Sequence, residues 1–114
     1  MPCTDPRDVS CLAEAFDLTT TVILQWELEL IWAAVAIGVA IVSPHAREAA
    51  REDAIPIAAI WRVVRQGTPR TKDVIPGDRR QIGINFEGKR RGGGWIRVKV
   101  SWLVRYVAVT VHAL

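Results

Sequence analysis

Two histidines and a set of arginines carry the clearest chemical potential in this chain of 114 residues. Histidines occur only at 45 and 112. His45 lies in the stretch SPHAREAARE, residues 43–52, at the front of a helical pattern, with Arg47 and Arg51 close behind. An imidazole gives and takes protons near neutral pH. A guanidinium fork donates two parallel hydrogen bonds to a phosphate. That combination suits a site that handles phosphate. More cations follow at Arg80, Lys89, Arg90, Arg91, Arg97 and Lys99, and Trp95 sits among the last of them. An exposed indole there is able to stack a base.

The cations are unevenly spread. Residues 1–44 hold Arg7 against Asp5, Asp8, Glu14, Asp17, Glu27 and Glu29, a net charge of −5. Residues 45–114 hold fourteen basic and six acidic side chains, a net charge of +8. Such a split marks two parts with different partners, and the basic part suits a polyanion. The expected division is an acidic, apolar extension over 1–44 and a basic domain over 45–114. Half of the residues are apolar, which supports a packed core. Cys3 and Cys11 are too few for a disulfide framework. Neither histidine lies near them in sequence and no C-x-x-C occurs, so no zinc pattern is present. The acidic N-terminus lacks the basic region of a secretory signal.

The run from Thr19 to Val42, TTTVILQWELELIWAAVAIGVAIV, is long enough to span a bilayer, for which about 20 residues are needed. Glu27 and Glu29 interrupt it, at about 2.5–3.5 kcal/mol each near a bilayer centre. Leu24, Trp26, Leu28 and Leu30 alternate with polar residues, a period of two that predicts a half-buried strand. Residues 33–42 read as a buried helix. Core packing, cover by a partner and membrane insertion all remain open for this run. Insertion would put the basic part on the cytoplasmic side.

Ser43 as N-cap and Pro44 at the first helical position predict a helix to about Asp53. Ala46, Ala50 and Ala54 form a small-residue stripe on it. After Pro56, the spacing of Ile57, Ile60, Trp61 and Val64 predicts a second helix, ending at Gly67 as C-cap. TPR and IPGD read as turns, with a short strand around Val74 and Ile75. Beyond Gly77 the period is two. Ile82, Ile84 and Phe86 alternate with polar positions, as do Ile96, Val98, Val100 and Trp102, and then Val107, Val109 and Val111. EGKRRGGG separates the first two of these strands as a flexible basic loop. The expected fold class is α+β: two N-terminal helices packed on a three- to four-stranded antiparallel sheet. One sheet face should pack on the helices, and the other should carry Arg97, Lys99, Thr110 and His112 side by side.

In this order, residues 43–114 resemble the small RelE-like domain at the C-termini of bacterial polymorphic toxins, of the barnase–EndoU–colicin–RelE type. The resemblance rests on SPHAREAAREDAIPIAAIWRVVRQG, GDRRQIGINF, GGWIRVKVSW and VAVTVHAL. Members usually carry arginines four and eight residues after the histidine. Here those positions are Ala49 and Asp53, and the arginines are Arg47 and Arg51. The final aromatic position is His112. The resemblance implies a cofactor-free, metal-independent ribonuclease using the substrate's own 2′-hydroxyl. His45 and His112 would serve as acid and base, and Arg47, Arg51, Arg80 and Arg97 as phosphate clamps. Thr110 would orient, while Lys89, Arg90, Arg91 and Lys99 grip the backbone and Trp95 stacks a base. It further implies delivery into the cytoplasm of a target bacterium, where tRNA or ribosome-associated RNA would be cut. An acidic immunity or antitoxin protein would cover the basic face.

Plainer readings compete residue by residue. His45 is also an ordinary helix start, and His112 a frayed tail. Arg47 and Arg51 are also a solvated face beside Glu48 and Glu52. The whole basic part would also serve as a non-catalytic nucleic-acid-binding module, or as the cytoplasmic part of a membrane-anchored protein.

Overall fold

The computed structural model describes residues 21–74, 82–102 and 106–114. The IPGD turn, Arg80, Cys3 and Cys11 lie outside them. The elements are α1 (Gln25–Ala36), β1 (Ile41–Val42), α2 (Pro44–Glu52), α3 (Ile57–Gln66), β2 (Thr68–Asp73), β3 (Gly83–Lys89), β4 (Trp95–Ser101) and β5 (Val107–Ala113). The fold is α+β, as expected, but the sheet has five strands in the order β1-β5-β4-β3-β2. It is mixed, because the two-residue β1 runs parallel to β5. The other three pairings are antiparallel.

The apolar run before Ser43 departs from expectation. Of the residues expected to alternate as a strand, Trp26, Leu28 and Leu30 belong to helix α1 and Leu24 is its N-cap. The reason is Glu27, which a strand would have placed on a solvated face. It is fully buried instead. Its carboxylate accepts from Lys72 Nζ at 2.8 Å, from the Trp102 indole at 3.1 Å and from the Leu24 amide at 3.2 Å. Leu28, Leu30, Ile31 and Ala34 join the same core as Ile60, Phe86 and Val98. The Trp32 indole donates to the Val64 carbonyl at 2.8 Å, locking α1 to α3. At 12 residues α1 is about 18 Å long. No helix among the described residues is long and apolar enough to cross a membrane.

Helix α2 begins as expected, with Ser43 Oγ accepting the Ala46 amide at 3.1 Å. Its end is a Schellman turn, with Ile55 N–H donating to Ala50 O at 2.8 Å and Ala54 N–H to Arg51 O at 3.1 Å. Ala54 therefore sits at φ 54° and is exposed, so the small-residue stripe stops at Ala50. α3 buries Ala59, Ile60, Val63 and Val64, leaving Ile57 toward solvent. Gly67 closes α3 with extended backbone, φ −75° and ψ −177°, not the left-handed turn expected of a glycine cap. Its glycine is required by proximity: a Cβ would lie 2.4 Å from Val63 O and 2.6 Å from Glu87 O.

TPR is the start of strand β2 and not a turn. Pro69 is tolerated because β2 is an edge strand, and a register shift between Pro69 and Thr71 absorbs it. The expected flexible loop is also shorter than its sequence suggests. Glu87, Gly88 and Lys89 belong to β3, and the turn is closed by Arg90 N–H on Gly94 O at 3.0 Å. Gly92, Gly93 and Gly94 all have positive φ.

Candidate functional site

The antiparallel register decides which side chains meet. β4 alternates Ile96, Val98 and Val100 toward the helices with Trp95, Arg97 and Lys99 away from them. Side chains directly opposite on adjacent strands are nearest neighbours on one face. Glu87 pairs with Arg97, and Arg97 pairs with His112. Three adjacent strands thus present a Glu87–Arg97–His112 row on the face without helices. The next row on that face is Asn85–Lys99–Thr110. Above the first row, Lys89 pairs with Trp95, a residue 48% exposed. The register therefore brings Arg97, Lys99, Thr110 and His112 side by side as expected, but Lys99, like Asn85, is buried and does not face solvent.

Glu87 was not a candidate from sequence, and it is the centre of the charge network. Its Oε2 accepts from Arg97 Nε at 3.0 Å and Nη2 at 2.9 Å. Its Oε1 lies 3.8 Å from Arg70 Nε. Lys99 Nζ is 3.3 Å from Asp73, which also accepts from Asn85. Among the described residues of this face, Arg97 and Lys99 are each matched by a carboxylate, Glu87 and Asp73. The one signal that could have found Glu87 is its register opposite Arg97, and sequence does not fix register across a glycine-rich turn.

His112 is not part of a frayed end. It lies within β5, and Leu114 N–H donates to Trp95 O at 2.8 Å beyond it. His45 is exposed on the first turn of α2. α2 runs beside β5, anchored by Ser43 Oγ on Val109 O at 3.5 Å and by Asp53 accepting the Ala113 amide at 3.4 Å. His45 is thus near the Val109 anchor and His112 near the Ala113 anchor, so the two histidines are staggered along β5. Arg51 pairs with Glu48 on the α2 surface, and Arg47 is exposed on the same helix. Arg90 caps the end of α2 by donating to the Asp53 and Ala54 carbonyls. Arg91 is exposed at the turn. Among the described residues no three histidine, cysteine or acidic side chains converge to hold a metal ion.

Chemically, the row sets a carboxylate and an imidazole on either side of a guanidinium. Strands two apart are separated by about 9.6 Å, room for one phosphodiester above Arg97. No family model, curated protein or solved structure matches the chain significantly.

Proposed function

We propose that the open sheet face is the active site of a ribonuclease that cleaves RNA through its own 2′-hydroxyl. The observation that carries this is the Glu87–Arg97–His112 row across three adjacent strands. A carboxylate and an imidazole on opposite sides of one phosphate supply the base and acid that the reaction needs. Glu87 takes the proton of the 2′-hydroxyl, and O2′ attacks phosphorus. The P–O5′ bond breaks as imidazolium His112 delivers a proton to O5′. The products are a 2′,3′-cyclic phosphate and a 5′-hydroxyl. Arg97 holds the extra negative charge of the pentacovalent phosphate, while Arg70 lies on the far side of Glu87, 3.8 Å from its Oε1. Thr110 and Lys99 flank the leaving side, and Trp95 stacks an adjacent base.

The pairing of Arg97 and Lys99 with carboxylates favours catalysis over simple binding. A module that only gripped a polyanion would gain from free cations. Here Arg97 and Lys99 are each engaged by a carboxylate, Glu87 and Asp73. A carboxylate amid the phosphate-binding arginines weakens ground-state affinity, yet it is what proton abstraction requires. The resemblance to RelE-like toxin domains agrees with this chemistry. It extends the proposal to a toxin delivered into a bacterium and silenced by an acidic immunity protein over the same face.

Incubation of the purified chain with total bacterial RNA in EDTA tests the reading. Wild type and His45→Ala are expected to yield fragments, while Glu87→Gln and His112→Ala leave RNA intact. Fragments of equal yield from all four proteins would overturn it.

A further inference from the structure

A second cationic site lies across the sheet from the catalytic row. A cleft of about 390 Å³ opens between the α2–α3 connection and the β3–β4 turn. Ala54, Pro56, Ala59 and Ile96 contribute apolar surface, and Arg62, Arg90 and Arg91 line it as well. Arg90 is fixed by one terminal nitrogen on the Asp53 and Ala54 carbonyls, which leaves its other two nitrogens for an anion. Among the described residues, Arg62 and Arg91 have no carboxylate within ion-pair distance, whereas Arg51, Arg70, Lys72, Arg97 and Lys99 each do. Uncompensated guanidiniums beside an apolar surface match a ligand with a flat, weakly polar body and a negative charge. A nucleotide unit has both.

The position of the cleft ties it to the catalytic row. Ile96 lines the cleft, while its neighbours Trp95 and Arg97 point to the open face. An RNA strand crossing Trp95 and Lys89 reaches the cleft by passing round the turn end of the sheet. We propose that this cleft is a non-reacting subsite for a flanking nucleotide of the same RNA strand. Its phosphate would lie on Arg62, Arg90 and Arg91, and its base against Pro56 and the alanines. The assignment rests on the ribonuclease reading for the path of the strand, but its binding test does not need cleavage.

The test is fluorescence anisotropy with a labelled 2′-O-methyl RNA of ~12 nucleotides, which lacks the attacking hydroxyl. The variants are Arg91→Gln and Arg62→Gln/Arg91→Gln, with Arg65→Gln on the exposed side of α3 as a control for overall charge. The double variant is expected to lose about tenfold in affinity and to flatten the salt dependence by about 0.7, the value for one phosphate of a single strand that the protein no longer neutralises. Unchanged affinity and salt slope, or equal losses in Arg65→Gln and Arg91→Gln, would overturn the subsite. Loss of binding in a protein that cleaves no RNA would keep the cleft and reject the ribonuclease. Cleavage with unchanged binding would do the reverse.

Discussion

Glu87 separates two accounts of the open face, because its bond to Arg97 serves either the fold or a reaction. As a partly exposed cross-strand ion pair it contributes only about 0.2–1 kcal/mol to stability. As a general base it contributes about 10²–10⁴ in rate. Glu87→Gln keeps the size and a hydrogen-bond acceptor for Arg97. It is therefore expected to leave the unfolding free energy within about 1 kcal/mol of wild type and to cut RNA cleavage by at least about 100-fold. Denaturant unfolding beside a cleavage assay reads both. His112→Ala should behave alike, while Arg97→Lys should lose rate because an ammonium cannot reproduce the fork.

At the scale of the element, the end of α2 offers a clean test of local geometry. Ala54 occupies the left-handed position of a Schellman turn at φ 54°, where a Cβ is unfavourable. Ala54→Gly is expected to stabilise the protein by about 1 kcal/mol and raise the melting temperature by a few degrees. A lower melting temperature would show that the turn is not as described. This position also shows what could be read from sequence. The start of α2 was legible because Ser43 and Pro44 are strong local signals. Its stop near Asp53 was legible as well, but the left-handed turn at Ala54 was not, since no glycine marks it. The strands β3, β4 and β5 were legible from their period of two, and with them the neighbours Arg97, Lys99, Thr110 and His112. Strand β2 was hidden by Pro69, which reads as a turn unless the strand is known to lie at an edge. α1 was hidden by an alternation that burial of Glu27 contradicts. Pairing of Glu87 with Arg97 depends on the register set by the Arg90–Gly94 turn, which is a tertiary fact.

At the scale of the molecule, the acidic run before Ser43 and the basic remainder share a core. Glu27 and Lys72 are 45 residues apart and join at 2.8 Å inside it. A buried pair of this kind is costly to break from one side, because the remaining charge is left without a partner. Glu27→Ala is expected to destabilise the chain by about 3–5 kcal/mol, measured by denaturant unfolding. Removing residues 1–42 should go further, exposing Ile60 and Val64 and stranding Lys72. The shortened chain is expected to lose cooperative unfolding, and a sharp transition in it would show that α1 is dispensable. The arrangement also separates the tasks of the charges. The −5 segment contributes its buried carboxylate to folding, while Arg62 and Arg91 gather with Arg90 at the β3–β4 turn, where a polyanion would be drawn in.

In the proposed reaction Glu87, Arg97 and His112 cleave RNA through its 2′-hydroxyl. The most direct measurement is mass analysis of a dinucleoside monophosphate after incubation with the protein in EDTA, beside its 2′-deoxy counterpart. A 2′,3′-cyclic phosphate and a free 5′-hydroxyl from the ribose substrate, none from the deoxy substrate and none with Glu87→Gln are the expected result. Cleavage of the deoxy substrate, or undiminished cleavage by Glu87→Gln, would contradict the assignment.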